Sequence, residues 1–271
     1  MVGMPLDKRV AIVTGAASGL GRAIALGLAK AGARVLATAS RSQATLDTLA
    51  AEADRDIGRG SIVPVLADVT SEADCTRIVD EALVRFGAVH VLVNNAGRGM
   101  KYVSQGFMAA PTRFWEVDPA TWRMIIDTNV NGPFLMSRAV VPHMRSSGWG
   151  RIVNVSMNYD TMRRQGFSPY GPSKAALESE TIIWAQDLKD TGITVNAVLP
   201  GGPTDTGMIP DATPQAVRER MLRPDIMAPP IVWLASERSD GFTGRRIIAT
   251  DWNEGDAEKA AASESGKAGW P

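Results

Sequence analysis

The segment VAIVTGAASGLGR, residues 10–22, decides the fold. A β-favouring apolar run, Val10–Thr14, leads directly into three glycines, Gly15, Gly19 and Gly21, and a helical pattern follows them. Glycine lets the backbone N–H groups of a tight turn approach a pyrophosphate, and the N-terminus of the next helix favours negative charge. A strand, a glycine-rich turn and a helix in this order predict a dinucleotide-binding unit at the start of the chain.

Short β-rich runs alternate with longer helical patterns along the rest of the chain. The predicted strands are Val10–Thr14, Arg34–Thr38, Ser61–Leu66, Val89–Asn94, Arg151–Ser156, Thr194–Leu199 and Arg245–Ala249. The predicted helices are Gly19–Lys30, Ser42–Ile57, Ser71–Phe86, Asp118–Ser146 and Ser173–Asp190. This alternation is typical of βαβ units joined into a parallel sheet. We therefore predict an α/β fold: a single-domain Rossmann-type doubly wound parallel sheet of about seven strands with helices on both faces. The domain is expected to span residues 1–252, with a flexible C-terminal tail at 253–271.

Composition and charge exclude several classes of function. The 271 residues are 45% hydrophobic, and 29 basic side chains balance 29 acidic ones. A chain without net charge or a basic arm gives no reason to expect nucleic acid or a membrane as partner. No signal peptide or membrane-spanning stretch is apparent, and the single cysteine, Cys75, fits a reducing compartment. A cytoplasmic protein without a bound metal is expected.

Six motifs follow one another in a characteristic order. They are the glycine turn after Thr14, Asp68-Val69 after the third predicted strand, Asn94-Asn95-Ala96-Gly97 after the fourth, Asn129 on the long helix, Tyr170-xxx-Lys174, and Pro200-Gly201 after the sixth strand. In this order and spacing the chain resembles the short-chain dehydrogenase/reductase family over roughly residues 6–250. The resemblance implies an NAD(P)-dependent oxidoreductase that moves hydride to or from a small carbonyl or alcohol substrate.

The resemblance also implies which residues hold the cofactor. They come from the glycine turn, the ends of four strands, the Tyr–Lys motif and the loop after the sixth strand: Gly15, Ser18, Gly19, Leu20, Gly21, Ser40, Arg41, Asp68, Val69, Asn95, Ala96, Gly97, Tyr170, Lys174, Pro200, Gly201, Thr204 and Thr206.

The end of the second predicted strand indicates which nicotinamide is bound. NAD-preferring Rossmann proteins place an acid about 20 residues past the glycines, on the ribose 2′-hydroxyl. Here the strand runs into Ala39, Ser40 and Arg41, and no carboxylate appears before Asp47. A guanidinium can bind a 2′-phosphate bidentately. NADP(H) is therefore the predicted cofactor, with NAD(H) as the alternative.

Tyr170 and Lys174 are the predicted acid–base pair. A helix beginning near Pro172 places them one turn apart on one face. Carbonyl reduction needs a proton donor at the oxygen, and alcohol oxidation needs a base there. A free tyrosine titrates near about 10, so a neighbouring ammonium and the positive nicotinamide are expected to lower its pKa. By resemblance, Lys174 also bonds the nicotinamide ribose, and Asn129 holds a water that links the lysine to solvent. An Asn129 satisfied by backbone groups is the alternative.

The chain departs from the family at the catalytic serine. The family usually places this serine thirteen residues before the tyrosine, where Met157 stands here. Methionine has no hydrogen-bond donor. Ser156 replaces the missing hydroxyl if the loop before Tyr170 absorbs one extra residue, and we predict it as the remaining catalytic residue. Asn158, or no substitute at all, are the alternatives.

Two other functions and an assembly state remain open at this point. An imine reductase would tolerate the loss of an oxygen-binding serine, and a non-catalytic NADP-binding regulator is supported only by Met157. By resemblance, the chain forms a homotetramer or homodimer through the helices Asp118–Ser146 and Ser173–Asp190. On the second helix Leu177, Thr181, Trp184 and Leu188 recur at three- and four-residue steps, a stripe that suits either a partner subunit or the sheet.

Overall fold

The computed structural model describes residues 4–253. Its strands are β1 Val10–Val13, β2 Arg34–Ala39, β3 Ile62–Leu66, β4 Val91–Asn94, β5 Gly150–Val155, β6 Ile193–Leu199 and β7 Arg246–Ile248. All pair in parallel, in the order β3-β2-β1-β4-β5-β6-β7. The direction of winding changes between β1 and β4, where doubly wound sheets open a ligand crevice at the carboxyl ends of the strands. The predicted Rossmann-type fold is confirmed, and the predicted tail lies, beyond Asn253, outside the described residues.

The helices cover both faces of this sheet. They are α1 Gly19–Lys30, α2 Gln43–Asp56, α3 Glu72–Phe86, α4 Pro119–Ile126, α5 Gly132–Ser147, α6 Tyr159–Met162, α7 Tyr170–Asp187, α8 Gln215–Arg218 and α9 Ala228–Leu234. Ser42, Ser71 and Asp118 begin α2, α3 and α4 because each side chain accepts a backbone N–H three residues on.

The core has two layers, one on each side of the sheet. Along β1, Ala11 and Val13 face the layer formed with α1, α2 and α9, whereas Val10 and Ile12 face the layer formed with α3 and α5. Successive side chains of a strand point to opposite faces, so a sheet covered on both sides needs apolar residues at every position. This explains the nearly continuous apolar runs of the sequence.

The predicted helix Asp118–Ser146 is not continuous. A π-helical turn, Asp127–Asn131, separates α4 from α5, and Pro133 stands in the first turn of α5. Proline cannot donate to the helical ladder, and π-turns recur at functional sites. The turn matters here because it carries Asn129.

The apolar stripe on α7 packs inside the subunit. Leu177 and Thr181 have no exposed surface, and Leu188 is buried in the layer against which Trp184 also packs. The stripe therefore packs on the sheet and does not indicate a subunit interface.

Among residues 4–253 no helix is long and apolar enough to cross a bilayer, and no group of three or more His, Cys, Asp or Glu is placed to bind a metal.

Candidate active site

The glycine turn is a backbone cradle that no other residue type fits. Gly15 has φ of +65°, and a Cβ there would lie 2.8 Å from the Cα of Ala96. A Cβ on Gly21 would lie 2.3 Å from the carbonyl oxygen of Gly15. The side chain of Asn95 donates to the carbonyl of Thr14 at 2.8 Å, and the Thr14 hydroxyl accepts the N–H of Asn95 and of Ala96, each at 3.0 Å. The turn and the Asn95-Ala96 segment thus form one rigid unit.

A cleft at the carboxyl ends of β1, β2, β3 and β4 brings predicted cofactor residues together. Its lining includes Gly15, Ser18, Ser40, Arg41, Asp68, Val69, Ala96 and Gly97 from the predicted set, together with Ala39, Thr38, Arg98, Tyr102 and Thr128. The Thr38 hydroxyl is fully buried at this lining and has no hydrogen-bond partner among the described residues. A backbone cradle beside an unsatisfied hydroxyl and an arginine fits a phosphorylated dinucleotide.

Arg98 and Tyr102 line this cleft although neither belongs to the predicted cofactor set; from the sequence, the segment 98–102 suggests contact with the substrate. The Tyr102 ring lies near two guanidiniums, with its centre 5.9 Å from the Cζ of Arg41 and 5.2 Å from that of Arg98. Arg98 follows the Asn94–Gly97 motif directly, so its position along the chain was the available signal. Tyr102 reaches the cleft from the short 3-10 turn Met100–Tyr102 in the loop after β4.

The loop after β6 closes the other side of the glycine turn. A Cβ on Gly19 would lie 3.1 Å from the Cβ of Thr206. Thr204 is buried, and its hydroxyl donates to the carbonyl of Gly202 at 3.1 Å. Met208 lies against the Gly97–Gly99 backbone. The other predicted residues occupy the start of α1 at Leu20 and the end of β6 at Pro200 and Gly201.

Tyr170 and Lys174 are one helical turn apart, because α7 begins at Tyr170 itself. Lys174 is 4% exposed, and its Nζ donates to the carbonyl of Val155 at 2.7 Å. Burial lowers the pKa of Lys174 to about 8, opposed by the negative charge of Glu178. The lysine is thus fastened to the end of β5, with two more N–H donors to offer.

The pKa of Tyr170 shifts in the direction opposite to the one predicted. Burial raises it to about 12. The expected lowering by Lys174 does not occur in the chain alone, and the cause of the shift is burial, which disfavours the charged phenolate. Tyr170 therefore holds its proton at neutral pH.

Asn129 has a fully protein-satisfied side chain. Its Oδ1 accepts the Arg98 N–H at 2.8 Å, and its Nδ2 donates to the Arg98 carbonyl at 3.0 Å and to the Ser173 hydroxyl at 2.9 Å. The π-turn thereby ties the residue after the Asn94–Gly97 motif to the first turn of α7. This placement matches the alternative in which backbone groups satisfy Asn129.

Ser156 lies in a different environment from the one predicted. It is 4% exposed, and its hydroxyl donates to the Glu178 carboxylate. A hydroxyl committed to a buried carboxylate is not available to a substrate oxygen, so this geometry opposes the predicted role. Asn158 donates to the carbonyl of Gly201 at 3.0 Å, and Met157 is 9% exposed. The two neighbours supply no free hydroxyl either.

These features together define a class: a doubly wound parallel sheet with a glycine turn after β1 and a Tyr–Lys pair on the helix that is bonded to the end of β5. Comparison with known proteins specifies the family. The family model described as short chain dehydrogenase matches residues 9–216. The chain belongs to the short-chain dehydrogenase/reductase family of oxidoreductases.

Individual relatives agree with this assignment. The 3-oxoacyl-(acyl-carrier-protein) reductase of Thermotoga maritima is 34% identical, over 90% of this chain and 97% of the relative. A short chain dehydrogenase of Shigella flexneri complexed with NADP has a TM-score of 0.80 at 25% identity, over 92% of this chain and 99% of that one. The 3-ketoacyl-(acyl-carrier-protein) reductase of Brucella melitensis complexed with NADH has a TM-score of 0.77 at 29% identity, over 93% and 99% of the two chains.

Proposed function

We propose that this chain is an NADP(H)-dependent oxidoreductase acting on a small carbonyl or alcohol, with Tyr170 as the acid and base. The observation that carries the proposal is the Tyr170–Lys174 pair at the start of α7, with Lys174 held at the end of β5. The two named reductases among its similar proteins support a carbonyl substrate.

The proposed chemistry is a hydride transfer coupled to a proton transfer. The bound nicotinamide supplies the hydride or accepts it. In reduction, the Tyr170 hydroxyl donates its proton to the carbonyl oxygen. Burial raises the Tyr170 pKa to about 12, and even an ordinary value of about 10 leaves this proton in place at neutral pH, as reduction requires. The Lys174 ammonium then stabilises the phenolate that remains, and its free N–H groups bind the nicotinamide ribose.

The preference for NADP(H) rests on the ribose end of the cleft. Ala39 stands at the end of β2, and Ser40 and Arg41 follow it. Asp68 is the only carboxylate among the residues that line this part of the cleft, and its Oδ1 accepts the N–H and hydroxyl of Thr70. Arg41 therefore supplies positive charge near the ribose, where a 2′-phosphate would bind. NAD(H) remains the alternative cofactor.

We extend the proposal to the whole predicted site. Asn129 acts by positioning the Arg98 backbone, and the glycine turn, Asn95 and Thr206 shape the dinucleotide cleft. A cytoplasmic homotetramer or homodimer remains a prediction from the family resemblance.

One observation favours a second candidate, the reduction of an imine. Ser156 is bound to Glu178, and Met157 stands at the position of the family's serine. A carbonyl substrate would then lack the second hydroxyl that the family's serine provides. A C=N substrate depends less on a second hydroxyl, because a protonated nitrogen donates its own hydrogen bond.

The test is NADPH consumption by the purified protein with aldehydes, ketones, keto acids, sugars and cyclic imines. Turnover of a carbonyl that disappears in Tyr170→Phe supports the main proposal. Turnover of imines alone selects the second candidate. NADPH binding without turnover of any compound would point to the regulator instead.

A further inference from the structure

A buried ion pair lies one helical turn after Lys174 along α7. The Nε of Arg246, on β7, donates to Glu178 Oε1, on α7, at 3.1 Å, and each side chain is only 2% exposed. The same carboxylate accepts the Ser156 hydroxyl. Arg246 also donates from Nη2 to the Met157 carbonyl at 2.8 Å. Its guanidinium is thereby bonded to both α7 and the chain leaving β5.

Three consecutive residues at the exit of β5 are each held by one ionic side chain. Lys174 bonds the carbonyl of Val155, Glu178 bonds the hydroxyl of Ser156, and Arg246 bonds the carbonyl of Met157. Glu178 follows Lys174 by four residues, so it lies one turn further along the same face of α7.

Charges in this position cost free energy unless they compensate one another. A buried ammonium tends to lose its proton, and a carboxylate one turn away favours the protonated form. The ionisable groups around Lys174 are Tyr170 and Glu178 on α7 and Arg246 on β7, with Tyr159 of α6 covering the Arg246 guanidinium at 4.0 Å. From β5 the lysine meets the uncharged carbonyl of Val155, and the neighbouring Ser173 hydroxyl on α7 accepts a hydrogen bond from the uncharged Asn129 of the π-turn.

We propose that Glu178 is a positioning residue that keeps Lys174 protonated at the start of α7. Arg246 and Ser156 hold the Glu178 carboxylate in place through their hydrogen bonds to it. Arg246 also bonds the Met157 carbonyl and so positions the chain just after β5. This inference rests on the proposed acid–base role of Tyr170 and Lys174, since only that role makes the charge of the lysine useful.

The direct test is an NMR titration of the lysine ammonium groups in the cofactor-free protein, with Lys174 assigned from a Lys174→Met variant. In Glu178→Gln the pKa of Lys174 is expected to fall by about one unit or more, the effect of losing a close opposite charge. Glu178→Asp keeps the charge and is expected to restore most of the original value. An unchanged Lys174 titration in Glu178→Gln overturns the proposal.

Asp240→Asn is the matched control. Asp240 pairs with Arg151, a buried arginine at the opposite end of β5. Removing this carboxylate also leaves a buried guanidinium without its partner, but far from Lys174. It is expected to lower stability and leave the Lys174 titration unchanged. A comparable fall in this control would show that the shift reflects general loosening, which would also contradict the proposal.

Activity gives a second readout through its dependence on pH. With 4-nitrobenzaldehyde and NADPH as probes, the loss of kcat/KM at high pH is expected to begin at lower pH in Glu178→Gln, because the Tyr170–Lys174 pair loses its first proton more easily. A uniform loss at every pH would mean a structural role only.

If the single variant does not fold, the double variant Glu178→Met with Arg246→Met removes both charges without leaving one buried alone. Its Lys174 pKa is still expected to fall, since the variant removes the carboxylate one turn away on the same helix, and an unshifted value overturns the proposal. If Tyr170→Phe leaves turnover intact, the proposed function itself fails, irrespective of the titration.

Discussion

The Nζ of Lys174 lies 2.7 Å from the carbonyl oxygen of Val155, so the first turn of α7 is fastened to the last residue of β5. This contact also positions Tyr170, the other member of the proposed acid–base pair, because it is one turn away on the same helix. The pair is therefore rigid with respect to the sheet. Catalytic groups held on regular elements keep their geometry better than groups on loops.

Replacing Tyr170 by phenylalanine removes the proton donor while keeping the ring in its site. Turnover is expected to fall by about 10² or more, the usual contribution of general acid–base catalysis, while NADPH still binds. Steady-state kinetics and NADPH fluorescence titration measure the two effects. Thr76→Val removes an exposed hydroxyl on α3, outside the dinucleotide cleft, and serves as control, with turnover expected to stay near the original value. Near-normal turnover in Tyr170→Phe would refute the acid–base role.

Arg41→Ala tests the preference for NADP(H). NADPH binding is expected to weaken by about 1.5–3 kcal/mol, the value of a hydrogen bond to a charged group, and NADH binding is expected to stay nearly unchanged. Isothermal titration with each cofactor gives both numbers. Arg59→Ala removes an exposed arginine after α2 and is expected to change neither Kd. Equal losses for NADPH and NADH in the Arg41 variant would mean that this side chain does not bind the 2′-phosphate.

Ser156 and Met157 differ in what their replacement should do. Ser156→Ala removes a hydrogen bond to the buried Glu178 carboxylate and is expected to cost about 1.5–3 kcal/mol of unfolding free energy, with kcat within about threefold. Met157→Ser introduces a donor at the position of the family's serine and is expected to raise carbonyl reduction about tenfold, the value of one hydrogen bond of about 1.4 kcal/mol. Urea unfolding and kinetics on both variants separate the effects. A hundredfold loss in Ser156→Ala with unchanged stability would restore Ser156 as the substrate-binding hydroxyl.

A homotetramer or homodimer is expected in solution from the family resemblance. Leu177, Thr181 and Leu188 of the α7 stripe are buried within the subunit, so they give no reason to expect an interface there. Two large apolar side chains are exposed on α5 and α7, the helices expected to pair between subunits. They are Phe134 on α5, 47% exposed, and Ile183 on α7, 52% exposed. Phe134→Glu with Ile183→Glu is expected to reduce the mass measured by light scattering. A monomeric mass of the unmodified protein at micromolar concentration would contradict the expectation.

His90 makes stability depend on pH below neutrality. Its Nδ1 accepts the N–H of Val10 at 3.0 Å, which requires that nitrogen to be unprotonated, and burial lowers the His90 pKa. The folded protein therefore binds fewer protons than the unfolded one. The unfolding free energy is expected to fall as the pH drops below the unfolded histidine pKa of about 6.5. In His90→Gln the loss between about pH 7 and pH 5 is expected to be smaller, whereas His143→Gln, the control, keeps it. Parallel pH curves for all three proteins would exclude His90 as the cause.

Much of the fold follows from local patterns. The glycine turn between β1 and α1, the apolar strands and the caps at Ser71 and Asp118 are each set within a few residues, so they can be read directly from the chain. Tyr170 and Lys174 belong to this group as well, because helical spacing alone puts them one turn apart. The candidate cofactor cleft was predictable for the same reason, since the carboxyl ends of neighbouring parallel strands meet at one edge.

By itself, then, the sequence determined the doubly wound sheet, the dinucleotide cleft and the Tyr–Lys pair. Each of these depends on residues that lie within a few positions of one another along the chain. Only the tertiary structure decided the partner of Ser156, the sign of the Tyr170 pKa shift and the π-turn that commits Asn129 to Arg98. Glu178 and Arg246 are 68 residues apart, and no local sequence pattern predicts that they form an ion pair. The hydrogen-bond partner of a hydroxyl and the pKa of a titrating group depend on nearby charges and on burial. Distant segments supply both, and only when the sheet and its helices pack together.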